Sequence, residues 1–335
     1  MANKNKKVLI SGYIGFGNFG DEAIFSSLVC YLKSKNIKIS ALSFDPEETS
    51  KIHSIKAYNY KSPIDIIRAI LSSDVLFSGG GSLLQNNTSN KSLYYYLTII
   101  NLAKLLGKKV VIFAQGLDGI NGKKQISDVK NALKKCDLIT VRDEVSKEFA
   151  DSLGLDAKLV CDPVYSLCLP PYNPQGYVGI QLRKSNNMDS LFLENLSDEI
   201  IKYFEGKKIK IYPFQEEYDK EICVDFRNIL KRKQKNTEVE IVKDSSIKNI
   251  IKEFSTLEYL IAMRFHACIL GSMYGIKTMP IIYDKKVLSV AKKHNMPYIN
   301  CSVKESITDV FKNIEKINHA EKPIFEWSLF DDIIQ

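Results

Sequence analysis

The chain has 335 residues, of which 45% are apolar and 26% charged, and it carries a formal net charge of +8. That length favours two domains over one, and that apolar share is enough for ordinary buried cores. The basic excess suits acidic small molecules or an anionic membrane surface; no basic tract with interleaved aromatics appears, so nucleic acid is not an expected partner.

The elements alternate from the start. Lys7 to Ser11 reads as a short buried strand, and a glycine-rich segment, GYIGFGNFGDE, follows it. A helix is expected from about Glu22 to Lys35. A strand, a glycine loop and a helix in that order place backbone N–H groups where an anion can bind. Gly15, Gly17 and Gly20 do spell G-x-G-x-x-G, the dinucleotide fingerprint. Against a dinucleotide, Asp21 and Glu22 fall on the helix start, where they would repel a pyrophosphate. Asn18 and Asp21 also read as turn and cap residues.

Ile37 to Phe44 is the second expected strand, ending at Asp45-Pro46, and Ile55 to Tyr58 a short third. A helix covers Ile64 to Ser72, and the strand Asp74 to Phe77 runs into SGGGSLLQNN. Three glycines at a strand end admit a ligand, or a neighbouring loop, close to the backbone. A tyrosine-rich helix spans Ser92 to Leu106, and the strand Lys109 to Ala114 ends in Gln115-Gly116. A helix from Lys124 to Lys135 leads to the strand Leu138 to Val141, which delivers Arg142-Asp143. Val145 to Leu153 is helical, and the strand Lys158 to Cys161 ends at Asp162-Pro163. This alternation predicts a parallel sheet covered by helices on both faces.

LPPYNPQ, residues 169 to 175, carries three prolines and is the expected linker. The alternation then restarts, with strands at Tyr177 to Leu182 (ending at Arg183), Lys208 to Pro213 and Val239 to Val242. Helices are expected at Leu191 to Phe204, Glu217 to Lys233 and Ser246 to Phe254. The most informative stretch follows. A buried strand, Leu257 to Met263, gives way to a helix from about His266 to Tyr274, then to a strand from Thr278 to Tyr283. Arg264 and His266 sit at the first strand end, and Asp284, Lys285 and Lys286 at the second. In an open parallel sheet both ends open on one rim, where ligands bind. A guanidinium, an imidazole and an ammonium there suit a phosphate or carboxylate. Their competing role is to cap and bridge surface structure. Helices at Val287 to His294 and Glu305 to Ile317 and a short strand near Tyr298 complete the second half. The domains are thus expected at 1–168 and 177–318, with 169–176 as linker and 319–335 as a tail packing back toward the first domain.

Cys30, Cys136, Cys161, Cys168, Cys223, Cys268 and Cys301 are scattered, odd in number and contain no CxxC pair. Mostly apolar surroundings suggest reduced, core-like cysteines and a cytoplasmic location. The first apolar run is too short for a signal peptide, and the apolar window Leu93 to Phe113 is broken by polar residues. His53, His294 and His319 are expected at the surface, and no cluster has metal-ligand spacing, so no metal is expected.

Taken together, SGYIGFGNFGDEAI, LFSGGGSLLQNNTSNKSLYYYL, FAQGLDGI, TVRDEVS, DPVYSL, and MRFHACILGSMYGIK with YDKKV resemble the polysaccharide pyruvyl transferases. Each motif is weak, but their order from about residue 8 to 290 is specific. The nearest branch pyruvylates lipid-linked precursors of secondary cell wall polysaccharides, which serve in surface-layer anchoring. The resemblance implies two Rossmann-like, doubly wound domains facing across a cleft, similar to GT-B glycosyltransferases. It implies phosphoenolpyruvate as co-substrate, no other cofactor, a pyruvate ketal on two hydroxyls of a sugar such as N-acetylmannosamine, and released phosphate.

Carried over by motif, the donor-binding and catalytic residues fall on Arg142, Arg264 and His266, with Phe265 between the last two. Lys286 is the donor-binding lysine, with Lys285 adjacent. The acceptor, a lipid-linked or polymeric saccharide, is expected against the loops at 12–21 and 79–86, at Gly15, Asn18, Asp21, Gly80, Gly81 and Gln85. GLDGI at 116–120 departs from the proline-containing turn of the family. Asp162 is either an acceptor contact or a turn residue. The Tyr94, Tyr95, Tyr96 helix either grazes the cytoplasmic face of the membrane or lies half-buried. A GT-B-type glycosyltransferase using a nucleotide sugar is the alternative function.

Overall fold

The computed structural model describes residues 6–87, 89–185, 188–301, 306–316 and 321–335. Two compact units form, the first from Met1–Phe16, Asp21–Leu167 and Pro323–Gln335, the second from Gly17–Gly20 and Cys168–Lys322. The boundary expected between 318 and 319, and His319 itself, lie outside the described residues.

From the first strand to the seventh the elements are β1 (Lys7–Ser11), α1 (Phe19–Ser34), β2 (Lys38–Ser43), α2 (Pro46–His53), β3 (Lys56–Asn59), α3 (Pro63–Leu71), β4 (Val75–Gly81), α4 (Asn90–Leu105), β5 (Lys109–Gln115), α5 (Lys123–Leu133), β6 (Leu138–Val141), α6 (Glu144–Ser152) and β7 (Ala157–Leu159). The strands are parallel in the order β3-β2-β1-β4-β5-β6-β7, which reverses between β1 and β4. Ser11 pairs with Ser78, so the loops leaving these two strands start side by side. Such a reversal is where open α/β sheets bind ligands.

The sheet is buried on both faces, which explains its continuous apolar strands. Leu9, Leu76, Val110 and Ile112 enter the core shared with α3, α4 and α5. Phe77 and Phe113 point the other way and meet the C-terminal tail, with Phe77 on Phe330 and Phe113 on Trp327, both at 5.8 Å. Trp327 also stacks on Tyr31 of α1 at 4.4 Å, and the Tyr31 hydroxyl donates to Asp331 at 2.7 Å.

Two local features differ from the sequence reading. α2 occupies a stretch in which no element was expected. Asp45 Oδ1 accepts from the Glu48 N–H at 2.9 Å and Pro46 opens the first turn, a cap whose residues are readable in sequence although the helix carries no apolar stripe. β4 continues through Gly79–Gly81 instead of ending at Phe77, with Gly81 paired to Gln115.

The second unit contains β8 (Tyr177–Gln181), α7 (Ser190–Tyr203), β9 (Ile209–Ile211), α8 (Glu216–Lys233), β10 (Val239–Ile241), α9 (Ile247–Phe254), β11 (Leu257–Ala262), α10 (Phe265–Tyr274), β12 (Lys277–Ile282), α11 (Lys285–Lys293), β13 (Ile299–Asn300) and α12 (Ser306–Lys312). α12 is shorter than the helix expected there, whose end residues Glu305 and Ile317 lie outside the described residues. The parallel order is β10-β9-β8-β11-β12-β13, reversing between β8 and β11. The proline-rich segment runs along this unit: Asn173 and Gln175 donate backbone N–H groups to Ser255 and Thr256 at 2.9 Å each. The tail of the first unit closes with a short helix, α13 (Asp331–Ile334).

The fold is therefore two doubly wound, parallel-sheet α/β domains. Among the described residues no helix is long and apolar enough to cross a membrane. His53 and His294 are not at the surface. His53 packs edge-on against Phe25 at 4.7 Å, and His294, at the end of α11, is fully buried. Each stands at the C-terminal end of its helix, and the His53 ring is turned onto α1 through Phe25.

Candidate active site

In the second unit the site is built at the strand reversal. α10 is buried along almost its whole length, Ala267 to Tyr274, and packs so tightly that a Cβ on Gly271 would lie 2.3 Å from Thr278 Oγ1. Gly275 closes it in the left-handed conformation, φ 73°, which glycine adopts without a Cβ penalty. A helix held this firmly fixes whatever stands at its N-terminus. Arg264 is the N-cap and Phe265 and His266 form the first turn.

The Arg264 guanidinium meets Asp219 in a two-pronged pair, Nε to Oδ2 at 2.9 Å and Nη2 to Oδ1 at 2.6 Å. Asp219 is fully buried, and its Oδ2 also accepts the Phe214 and Gln215 N–H groups, both at 3.1 Å. This fork geometry orients a guanidinium as well as neutralising it. Nη1 is left with no hydrogen-bond partner among the described residues.

The loop Gly17–Gly20 belongs to this unit. Asn18 Nδ2 donates to Gln215 Oε1 at 3.3 Å, Asn18 Oδ1 accepts from the Gly20 N–H at 3.1 Å, and Phe19 N–H donates to the Phe214 carbonyl at 2.9 Å. The imidazole of His266 lies directly over Gly20: a Cβ there would stand 1.9 Å from His266 Nδ1. The Phe265 ring stands edge-on to the imidazole at 5.1 Å. Asp284 caps α11 by accepting from the Val287 N–H at 2.9 Å, which places half-buried Lys286 and exposed Lys285 in the first turn.

A further cation stands on the same rim. Arg183, just past β8, donates Nη1 to the Tyr283 hydroxyl at 3.0 Å and lies 4.9 Å from that ring's centre. The sequence marks Arg183 as a strand end, but nothing in it ties the residue to Tyr283. Asp219 was missed altogether, since one acid among Glu216, Glu217 and Asp219 in a first helical turn carries no distinguishing signal.

The first unit gathers a second group along the carboxyl ends of β4 to β7. Arg142, following β6, donates Nη1 to Asp162 Oδ2 and Nη2 to Ser82 Oγ, each at 3.1 Å. Ser82 in turn donates to Asp118 Oδ1 at 3.3 Å. The Arg142 and Asp162 side chains are only 4% and 2% exposed, and Asp162 Oδ1 also accepts the Val164 N–H at 3.0 Å. Asp162 is thus both a turn residue and the counter-ion of Arg142.

The glycines form a close-packed floor beside this network. Gly80 and Gly81 have φ of 81° and 94°, and a Cβ on Gly81 would lie 2.6 Å from Asp21 Oδ1. The Gly15 N–H donates to Glu22 Oε1 at 2.7 Å. Half-buried Gln85 lies in the loop after β4, which Asn86 and Asn87 tie to the loop after β5 through Asn121, both at 2.7 Å. Of the six expected acceptor residues, Gly15, Asp21, Gly80, Gly81 and Gln85 are in the first unit and Asn18 in the second.

Tyr94, Tyr95 and Tyr96 do not form an outward aromatic face. Tyr94 donates to Asp128 at 2.9 Å, Tyr95 to the Tyr60 carbonyl at 3.0 Å, and Tyr96 is buried.

Comparison with known proteins agrees on the fold. The chain is similar to the UDP-GlcNAc 2-epimerase of Methanocaldococcus jannaschii, with 13% identity, 98% of each chain covered and a TM-score of 0.68. It is similar to that of Neisseria meningitidis bound to UDP-GlcNAc (12%, 95% of each chain, 0.64) and to S. aureus MnaA with UDP (10%, 98% of this chain and 95% of that one, 0.64). These are GT-B folds, and at such identities the likeness speaks for architecture alone. No curated protein sequence matches the chain. The family model for polysaccharide pyruvyl transferases matches residues 18–285, from Asn18 through the Arg142 and Arg264–His266 segments to Lys285. With most of its length and both arginine groups inside that match, the chain belongs to the polysaccharide pyruvyl transferase family.

Proposed function

We propose that the protein transfers pyruvate from phosphoenolpyruvate onto two hydroxyls of one sugar, forming a ketal and releasing phosphate. The acceptor in this reading is N-acetylmannosamine in a lipid-linked precursor of a secondary cell wall polysaccharide. The observation that carries it is the rim of the second sheet. Arg264 is aimed by a buried carboxylate with Nη1 still available, the His266 imidazole is two residues away, and Lys286 stands at the next strand end.

Phosphoenolpyruvate carries a phosphate and a carboxylate close together, so it needs more than one cation, and a guanidinium fixes orientation as well as charge. Arg264 and Lys286 supply cations in the second unit, and the reading assigns Arg142 to the donor as well. The reaction balances as follows. A proton adds to the methylene carbon, making it a methyl group. One sugar hydroxyl adds to the central carbon and loses its proton. The bond from that carbon to the phosphate oxygen breaks, the second hydroxyl takes its place, and the proton that it loses leaves on the released phosphate. His266 is the general acid–base candidate, a role worth ~100- to 10,000-fold. The guanidiniums stabilise charge on the departing phosphate.

The test is phosphate release from phosphoenolpyruvate with a lipid-linked disaccharide, compared with simple glycosides. Release that depends on the acceptor and is lost in His266→Ala supports the reading. The glycosyltransferase alternative predicts no release from phosphoenolpyruvate and turnover of a UDP-sugar instead.

A further inference from the structure

α3 is a nine-residue helix, PIDIIRAIL, with one face in the core and an apolar stripe on the other. Ala69 and Ile70 are buried, and Ile66 packs against the same core. Ile64, Ile67 and Leu71, at i, i+3 and i+7, share the opposite face and are 62%, 44% and 56% exposed. Lys108 donates to the carbonyls of Leu71 and Ser73 at 3.2 and 2.6 Å, which ties the end of α4 to the end of α3. Leu105, 82% exposed, and Leu106 sit in that α4 end. Toward the other end of α3, Lys61 lies over the rings of Phe44, itself half exposed, and Tyr60, 5.8 and 5.5 Å from their centres.

The sequence that builds this side of the unit has a basic excess. From Lys61 to Asp137, the stretch that builds α3, α4 and α5, the sequence holds eleven Lys or Arg against five Asp, a net of +6 out of the chain's +8. Arg68 flanks the stripe on α3 and is largely exposed, with Asp65 3.9 Å away.

We infer that this face of the first unit docks on an anionic lipid bilayer, with Ile64, Ile67, Leu71 and Leu105 entering the headgroup boundary and Lys61 and Arg68 facing lipid phosphates. An apolar stripe on a basic surface is the pattern of interfacial membrane binding. A second copy of the chain is a poor occupant, because a self-complementary contact would set lysine fields against each other. The inference deepens the reading of a lipid-linked acceptor. With α3 on the bilayer, the Phe44–Lys61 end brings the strand ends that carry the glycine loops close to the lipid surface.

The test needs no turnover, so it can fail while the pyruvyl transfer reading stands, and the reverse. The full-length protein is floated with phosphatidylcholine vesicles, with and without phosphatidylglycerol, at low salt. Binding is expected only to the anionic vesicles and to fall as salt rises. Ile64→Ser/Ile67→Ser/Leu71→Ser should lose at least about tenfold in binding. Arg68→Ser alone should lose about fivefold, the worth of one basic residue near an anionic surface. Tyr218→Ser, an exposed aromatic on α8, should bind as the parent does, and thermal melts confirm that all variants are folded. Failure of the parent to bind anionic vesicles would overturn the inference, as would unchanged binding by the triple variant. A concentration-dependent dimer abolished by the triple variant would also overturn it, by giving the stripe to a second copy.

Discussion

Gly20→Ala isolates the relation between the glycine loop and the histidine. Gly20 has no positive φ and sits in the first turn of α1, where alanine is ordinarily the better residue by about 1 kcal/mol. Sterics act against it: the new Cβ would lie 1.9 Å from His266 Nδ1, where ordinary contact is ~3.4 Å. The imidazole or the loop must therefore move by about 1.5 Å. An imidazole can rotate, so the fold should tolerate the change, with stability within about 1 kcal/mol of the parent in a urea titration. The chemistry should not tolerate it, since displacing a catalytic group by about 1 Å costs on the order of 100-fold. Phosphate release from phosphoenolpyruvate reads the rate, and the loss should appear in kcat. Parental kcat in Gly20→Ala, with His266→Ala inactive, would refute the claim that this loop sets the position of the imidazole.

Three further expectations follow from buried groups. Asp219→Asn leaves the Arg264 guanidinium without its counter-charge, so stability should fall by about 3 kcal/mol and the KM for phosphoenolpyruvate should rise; unchanged values in urea unfolding and steady-state kinetics would remove Asp219 from its positioning role. Trp327 is the only tryptophan, stacked on Tyr31, so its emission reports the docking of the tail. Phe330→Ala, which empties a site against Phe77 and Phe113, should shift that emission transition by about 3 kcal/mol, and an unmoved transition would deny the tail a share in the core. Burial, reinforced by nearby Lys33, pushes the His53 imidazole down to about 4. The unfolded chain therefore takes up the proton first as pH falls. The stability gained from keeping this ring neutral is complete above about pH 6.5 and is lost toward pH 4, on the order of 3 kcal/mol. His53→Phe should flatten that segment of the stability–pH curve, and an unaltered slope would show that the ring is solvated.

Most of the architecture was readable because parallel strands buried on both faces leave unbroken apolar runs, as in KVLIS and KVVIFAQ, and the Gly-, Asp- and Pro-rich turns between them mark the ends. α2 escaped because PEETSKIH, although capped by the preceding Asp45, has no apolar periodicity. The two buried histidines escaped because a helix-end position looks exposed until the packing of the last turn is known. Arg264, His266 and Lys286 could be placed on one rim from the sequence because strand ends in a parallel sheet open on the same side. Their counter-ions could not. Asp219 lies 45 residues from Arg264 and Asp162 lies 20 from Arg142, and no local spacing ties either acid to its arginine. The sequence therefore reads as two bare cations, where the structure has two cations each held by a buried carboxylate. The apolar stripe of α3 was passed over as well, because Ile64, Ile67 and Leu71 look in sequence like the core face of the helix.

The central claim is that the Arg264–His266 turn and Lys286 form a site for phosphoenolpyruvate. Calorimetric titration of the protein with phosphoenolpyruvate and, separately, with a UDP-sugar tests it most directly. The account predicts saturable binding of phosphoenolpyruvate that is lost in Arg264→Met and weakened in Lys286→Met, with no comparable heat from the UDP-sugar. Tight UDP-sugar binding with no response to phosphoenolpyruvate would contradict it.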